Sequence, residues 1–566
     1  MSSDGDHVAF QNSVNDNLEE SNTVLFNDKN YTFITDSTSN SGSFSSGQIQ
    51  FDLSTLASQS SYVNIPEGVI EYPIKVTAQV ITAGTGSETT KSIAAAATAI
   101  IKNGWHQWID GVQLIINGQT VQSTQPYENV CATFRQISTW SQDELVKFGP
   151  TCGVALDDMT SDRVNPTAVT GLSNATYATV AASVKGFDGV NNQTVLNNKG
   201  INARNTVTNT DINPASASAQ TTILGAAAMK TAGRSHVSSL AAGSNTANAY
   251  IYSANYMATV RLKDLCDIND FPMVKNLKGF LYLSFNSSSV NLTGTAGAAT
   301  LSAVSITPLT GRTTPFLINN SATGILLGNY ATTAPVVQIV GSVDATTTGQ
   351  QTNAGPLLTN ARLLVPYYSA NPKTDMALSQ PNKYFTTLEK IVTPIVIPAG
   401  GSINYTITSG VANPRKLLLM PMWQNLGGAT NLTNPEVSPF DPVPGCSGIF
   451  AEINNLQVYL ANKPLYQYPI QYTFEQWITE NAQLGLNGSA INEATSGLLT
   501  EQLFQQNYRF NYVDLSRRMD SEDGTSKSIQ VSMSNPSSTF GMKVIGVVWY
   551  EKKWLINTST CTLSSV

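Results

Sequence analysis

Charge is scarce in this sequence. Of 566 residues only 12% are Asp, Glu, Lys or Arg, about half the quarter usual for soluble domains, and Asn, Thr, Ser, Ala and Gly take their place. Such a surface holds water through hydroxyls and amides, as extended β-proteins in large assemblies do and abundant cytosolic enzymes rarely do. Thirty-one basic residues against 38 acidic ones give a net charge of −7. The amino-terminal stretch is itself acidic, with Asp4, Asp6, Asp16, Glu19, Glu20, Asp28 and Asp36 against Lys29. A chain that winds nucleic acid needs clustered Lys and Arg to neutralise phosphates, so sequence-specific or wrapping contact with nucleic acid is not expected.

Histidine is scarcer still. The three, His7, His106 and His236, form no His-x-His or His-x-x-x-His pair, which removes the usual agents of metal hydrolysis and imidazole acid–base chemistry. The five cysteines, Cys131, Cys152, Cys266, Cys446 and Cys561, are far apart, odd in number and never in C-x-x-C spacing. They read as free thiols in a reducing compartment, not as a disulfide framework or zinc site. Long apolar runs are missing too: Ile93–Ile101 is about half the roughly 20 residues that span a bilayer. Asp4 and Asp6 occupy the place where a secretory signal carries positive charge, so neither an integral membrane protein nor classical secretion is expected. No G-x-S-x-G, G-x-G-x-x-G or G-x-x-x-x-G-K-[ST] occurs, so the hydrolase elbow, dinucleotide loop and phosphate loop have no support.

The side-chain clusters that remain have structural readings. The Asp520, Glu522, Asp523, Gly524 group fails as a calcium loop, because Met519 and Ser521 fall where oxygen ligands belong. Asp523-Gly524 reads instead as a hairpin turn between Tyr512–Leu515 and Ser528–Met533. Asp157, Asp158 and Asp162 read as solvated. His106 in Trp105-His106-Gln107-Trp108 reads as an aromatic-packed histidine before an aromatic cage, and the 21 tyrosines and seven tryptophans as core before sugar-stacking platforms. No catalytic, cofactor-binding or metal-binding residue is assigned, and no cofactor is expected.

What is present is alternation. Hydrophobic residues make up 41%, enough for large cores, and the length suggests two to four units of about 100–200 residues. Val112–Val121 alternates around Asn117-Gly118, the signature of a two-residue hairpin. Gln48–Leu53, Val69–Val80, Ile391–Ile397, Ile403–Ile407, Lys416–Met420, Leu456–Leu460, Ser528–Met533 and Met542–Tyr550 read as strands, and only Phe474–Gln483 and Leu498–Gln506 as helices.

An internal repeat organises these elements. Ile109–Ile116 resembles Ile453–Leu460, Lys29–Thr32 resembles Lys383–Thr386, and Tyr252–Tyr256 resembles Tyr508–Tyr512. Leu281–Asn286 parallels Gln530–Asn535, and Leu363–Tyr368 parallels Ile545–Tyr550, all in one order along the chain. From Ile109 to Tyr252 is 143 positions and from Ile453 to Tyr508 is 55, so the first copy holds an extra excursion. The expected fold is all-β: two tandem antiparallel eight-stranded jelly rolls with few short helices and long loop insertions, mainly in the first. The expected boundaries are an amino-terminal arm at 1–40, a first roll at 41–372 with insertions at about 151–250 and 287–360, and a second roll and carboxyl tail at 373–566. The insertions are expected to be ordered loops rising over one end.

Several segments carry a wider resemblance: Val260–Leu265 with Leu277-Lys278-Gly279 and Leu281–Asn286; Arg362–Pro366 and Asn371-Pro372; Asn413–Leu417 and Ser438–Asp441; Asn455–Pro464, Asp514–Arg518 and Trp549–Trp554. Through them the sequence, over most of Ser43–Ile556, resembles the double jelly-roll major capsid proteins of eukaryotic DNA viruses, most closely those of polinton-like viruses and virophages. The resemblance implies a structural, non-enzymatic protein of the virion, assembled inside the infected host cell. It implies a pseudo-hexagonal homotrimer tiling an icosahedral shell. The implied partners are its own copies, neighbouring capsomers, and penton and minor capsid proteins, with an internal membrane left open. The competing readings are a glycan-binding surface or fibre adhesin and an all-β polysaccharide-degrading enzyme.

Overall fold

The structure, a computed structural model, describes residues 25–37, 44, 47–58, 61–82, 98–156, 234–242, 250–268, 270–294, 301–319, 336–344, 360–424, 452–484, 497–506, 508–516, 524–538, 541–558 and 562–566. Its first half contains β1 (Phe26–Thr35), β2 (Gln48–Asp52), β3 (Tyr62–Val63), β4 (Val69–Thr82), β5 (Thr98–Ile101), β6 (Ile109–Ile116), β7 (Gln119–Gln122), β8 (Arg234–Ala242), β9 (Tyr250–Arg261), β10 (Gly279–Phe285), β11 (Ser287–Gly294), β12 (Leu301–Thr310), β13 (Phe316–Asn319), β14 (Val336–Val343) and β15 (Arg362–Ala370). The second half contains β16 (Asn382–Ile397), β17 (Ser402–Ala412), β18 (Pro414–Gln424), β19 (Asn454–Leu460), β20 (Lys463–Pro464), β21 (Asn511–Asp514), β22 (Ser526–Ser534), β23 (Gly541–Asn557) and β24 (Thr562–Ser565). The described α-helices are α1 (Glu128–Thr139), α2 (Gln142–Cys152), α3 (Leu262–Leu265), α4 (Pro372–Leu378), α5 (Phe474–Leu484) and α6 (Glu501–Gln506).

Local chemistry accounts for the elements. Asn117 and Gly118 take φ of 48° and 82°, so the chain reverses in two residues and Ile116 pairs with Gln119; positive φ at both positions matches the twist of the flanking strands. In β10 burial alternates strictly from Gly279 to Phe285, the mark of a sheet with one face on the core. Helix α2 begins in a capping box, Ser141 Oγ accepting from Glu144 N–H at 3.2 Å while Ser141 N–H donates to Glu144 Oε2 at 3.1 Å, and it ends at Gly153 with φ 66°. Orphan amides at one end and a left-handed stop at the other are thereby provided for.

The strand order shows the architecture. One sheet of the first half runs β1-β15-β4-β9 and the other β2-β10-β6-β7; in the second half the sheets run β16-β23-β18-β21 and β17-β22-β19-β20. Set β3, β5, β8, β11–β14 and β24 aside and count the remaining strands of each half from one to eight. Both halves then give the orders 1-8-3-6 and 2-7-4-5, with every pairing antiparallel. This is the jelly roll, two four-stranded sheets packed face to face, and it occurs twice. Among the described strands none of the first fifteen pairs with any of the last nine.

The set-aside strands β11–β14 come from the second insertion. At fourteen residues β4 outruns β15, which pairs with only Val69, Ile70 and Glu71. Beyond that point β14 pairs with Ile74–Thr82, and β11 and β12 extend the sheet outward from β14. On the other side β8 pairs with β9. Residues 157–233 of the first insertion lie outside the described residues.

Three expectations are corrected. First, β1 lies inside the stretch read as an arm: Phe26–Thr35 pairs with β15 and is the first strand of the roll, while residues 1–24 lie outside the described residues. Second, Asp523-Gly524 does not join a hairpin, because β21 pairs with β18 in one sheet and β22 with β17 and β19 in the other. Gly524 does take φ 74°, but it turns a crossing between sheets, its N–H donating to Asn413 Oδ1 at 2.8 Å. Third, each repeat match names equivalent strands, yet only the hairpin strand keeps its phase. Val112 and Leu114 face inward, as do their counterparts Leu456 and Val458. Tyr256 shares the inward face of Ile74 and Tyr72, whose ring meets Phe285 of the opposite sheet at 5.3 Å. Its counterpart Tyr512 points away from the second core, onto Phe134 of α1. Likewise Leu281 is matched to Gln530, although Val531 is its inward equivalent. A one-residue slip reverses every side chain, and short polar matches do not detect it.

Candidate functional site: the junction between the rolls and the uncovered sheet edge

Helix α1 connects two cores. Ala132 joins the apolar cluster of the first roll, while Val130, Cys131, Phe134 and Ile137 join that of the second, packed on the outward face of its sheet. Their spacing, 130, 134 and 137, places them on one helix face. The Phe134 ring lies 5.6 Å from Tyr512, 5.8 Å from Phe510 and Trp549, and 6.0 Å from Trp477. The exchange is mutual, for Phe385, Trp554, Ile556 and Leu563 of the second half pack into the first core. There Phe385 meets Phe271 edge-on at 5.0 Å, and Trp554 Nε1–H donates to Thr387 Oγ1 at 2.8 Å. At the carboxyl end of α1 the N–H of Leu498 donates to Ile137 O at 2.9 Å. Gly497, at φ 67°, lies so close that a Cβ would stand 2.3 Å from that same oxygen.

Buried charges line the same junction, and one pair crosses between the halves. Lys390 of β16 donates to Glu128 of α1, with side chains 2% and 0% exposed. Arg135 grips Asp267 in a fork, Nε to Oδ1 at 3.1 Å and Nη2 to Oδ2 at 2.5 Å, and its Nη1 reaches Asp264 O. Asp264 in turn accepts from Arg261 at 3.0 and 3.2 Å and from Trp140 Nε1 at 3.2 Å. Burial works against each charge, and the partner decides the outcome. Burial would raise the Asp267 carboxyl, but Arg135, Lys416 and Lys390 hold it below the usual range. Burial would lower Lys390, and Glu128 outweighs it, so the ammonium is held above its ordinary value. Lys416 is pulled below the usual lysine range by burial that Asp267 and Asp514 offset only in part.

None of these groups is poised for chemistry. Burial pushes the Cys131 and Cys152 thiols up to about 12 and raises Cys266 further, which leaves them protonated. His106 is lowered to about 3 by burial and is neutral, its Nε2 2.7 Å from Thr133 Oγ1. It belongs to a polar knot under the insertion strands: Asn129 Nδ2 donates to Thr313 Oγ1 at 2.9 Å, and Asn286 Nδ2 to Gln107 O at 3.0 Å. The Trp105–Trp108 segment is wholly buried, so the packed-histidine reading stands over the aromatic cage. Among the described residues no group of three His, Cys, Asp or Glu is placed to hold a metal ion, and no helix is long and apolar enough to cross a membrane. Asp157, Asp158, Asp162, Asp520 and Glu522 lie outside the described residues.

The linker between the halves is also tied down. Asn371 caps α4 through Thr374 N–H at 2.9 Å. Asp375 Oδ1 accepts from Tyr62 O–H at 2.8 Å and Lys275 Nζ at 2.6 Å, with Lys275 over the Tyr62 ring at 4.5 Å. Among the described residues several apolar side chains stay exposed. β1 presents Tyr31 and Phe33, 54% and 65% exposed, on a sheet edge, and Tyr468, after β20, is 71% exposed. Sequence reasoning missed α1 and this whole junction, although Val130, Phe134 and Ile137 carried the helical spacing.

No family model and no curated protein matches the sequence. Among solved structures, the chain is similar to a chain of the Sputnik virophage determined by cryo-EM, with 13% identity and a TM-score of 0.48 over 96% of this chain and 89% of that one. It is similar to the mavirus major capsid protein, with 10% identity and a TM-score of 0.46 over 95% and 90%. A third likeness is to the PBCV-1 virus capsid, with 10% identity and a TM-score of 0.35 over 96% and 98%.

Proposed function

We propose that this chain is a double jelly-roll major capsid protein, the repeating subunit of a virion shell. It associates as a homotrimer of pseudo-hexagonal outline and tiles an icosahedral lattice. The observation that carries the reading is the identical strand order of the two halves, joined by a junction buried from both sides. A rigid block with two equivalent lobes makes six lobes when three copies close around an axis, and closed rings are the common outcome of repeated contacts. The sparse charge and acidic amino-terminal stretch suit a shell that encloses nucleic acid without winding it. Function then resides in interfaces and not in a catalytic residue. The partners are neighbouring capsomers with penton and minor capsid proteins, and the place of assembly is the infected cell. The division at 372 and 373 separates the lobes, with α4 as the tied-down connection between them.

The test is the mass and outline of the purified protein. Light scattering at three times 60.5 kDa with hexagonal particles in negative stain is expected. Monomers or elongated rods at every concentration overturn the reading, as does polysaccharide cleavage lost on substitution of one Asp or Glu.

A further inference from the structure

A charged contact fastens the second insertion to the first roll among neutral ones. After β12 the chain turns at Gly311, with φ 76°, and Arg312 reaches the start of β6. Its Nη1 donates to Asp110 Oδ2 at 2.7 Å, and its backbone N–H bonds the same carboxylate. The neighbouring bonds carry no charge: Thr313 N–H donates to Asn286 Oδ1 at 3.2 Å, Asn129 Nδ2 to Thr313 Oγ1 at 2.9 Å, and Ser287 N–H to Thr310 Oγ1 at 3.1 Å. Among the described strands β12 pairs only with β11, so this turn holds the far end of an edge strand. The contact is lopsided. Asp110 is 6% exposed and the Arg312 side chain 52%, so water weakens the pull of the cation. Asp110 Oδ1 is buried without a hydrogen-bond partner, and so are Glu128 Oε1 and Asn129 Oδ1 at the start of α1. Three acceptors without a donor make an ionised carboxylate costly here, and a proton on Asp110 both supplies a donor and removes the charge. The charged groups around it are Arg312 from the turn and Glu128 from α1, the latter engaged by Lys390 of β16; His106 is neutral. Burial raises the Asp110 carboxyl, Arg312 draws it down, and Glu128 lifts it again, which leaves it above the ordinary Asp range.

We infer that Asp110 is an acid-released clasp on the second insertion: ionised, it holds Arg312 and pins the end of β12 to the roll; protonated, it lets Arg312 go. The neutral bonds at Thr313 keep the turn attached at its base, so release loosens the edge strand without detaching the insertion. A carboxyl that takes its proton more readily in the folded chain than in the unfolded one adds stability as pH falls through the folded value. The clasp therefore opens while the fold persists.

Hydrogen exchange read by mass spectrometry on the full chain tests it, following residues 307–315 with labelling times scaled to the intrinsic rate at each pH. In the unaltered protein the turn is expected to exchange several-fold faster as pH falls from about 7 toward the ~3.9 of an ordinary Asp, while β10 keeps its protection. Asp110→Asn, uncharged at every pH and close in shape, should show the faster rate already at neutral pH and no further rise. Arg312→Gln, a change at a half-exposed side chain, should be equally flat. A rise that begins only below ~3.9, a rise that survives in either variant, or no rise at all overturns the inference. Loss of protection in β10 at the same pH overturns it too, because the chain is then unfolding and not opening a clasp.

Discussion

The Glu128–Lys390 pair offers a quantitative test of how the rolls are held. Both side chains are withdrawn from water, at 0% and 2% exposure. Removing one partner strands a buried charge without its hydrogen-bonded counter-ion, a loss of about 3–5 kcal/mol. Removing both strands nothing: the desolvation cost and the Coulombic gain vanish together, and two apolar groups of similar volume leave the stability nearly unchanged or raise it by about 1–4 kcal/mol. Glu128→Leu and Lys390→Met should therefore each lower the urea midpoint of the first unfolding transition sharply, and the combined variant should recover to the original midpoint or pass it. Lys390 keeps its charge at neutral pH. Lys390 is raised in the folded state, so its contribution is complete below the ~10.4 of free lysine and is lost only as pH climbs through the higher folded value. The measurement is a double-mutant cycle at pH 7. A combined variant no more stable than the worse single one refutes the reasoning, and so do single variants that lose under about 1 kcal/mol, the range of solvent-exposed pairs.

Phe134→Ala removes the ring on which Tyr512, Phe510, Trp549 and Trp477 converge and should cost about 3–5 kcal/mol, seen in calorimetry as a wider separation between the unfolding of the two rolls than in the unaltered protein. His106 is lowered to about 3 in the fold, so its contribution is complete above the ~6.5 of free histidine and is lost as pH falls through about 3. His106→Gln should flatten the decline of stability by close to one proton between those values, and an unchanged slope counts against the buried neutral ring. Tyr62→Phe removes one of the donors to Asp375, and limited proteolysis should then cut the α4 linker several times faster; an unaltered rate means the latch does not hold the linker.

How far the fold could be read in advance depended on the range of the signal. The Asn117-Gly118 hairpin is local, and it forms as expected. The strand signals at Gln48, Val69, Ile403, Lys416, Leu456, Ser528 and Met542 all fall inside observed strands, because alternation with turn residues at the ends is a property of a few residues at a time. Phase is different. Tyr256 and Tyr512 look alike, yet one faces its core and the other a neighbouring helix; the outward sheet face of the second roll is itself buried, so Leu417, Leu418, Leu419 and Met420 are all enclosed and the alternation that would settle the phase is erased. The same burial explains why Asp523-Gly524 misled: a turn residue reports a change of direction and not which strand comes next. The junction was beyond reach for a plainer reason. Glu128 and Lys390 stand 262 residues apart, and a lone Glu in a polar helix start carries no mark of its partner.

The make-up of the junction fixes how the two rolls are set against each other. Apolar contact around Phe134 supplies most of the attraction, but it is non-directional, and two domes of side chains could slide by a few degrees without losing much area. Forked and paired charges respond differently. The Lys390–Glu128 pair spans the two rolls and is satisfied in one arrangement only, so a small rotation leaves its buried charges apart at a cost that rises steeply in a poorly polarisable surrounding, while the Arg135–Asp267 fork holds α1 in place within the first roll. Placing them beside the rings couples strength to a fixed angle between lobes.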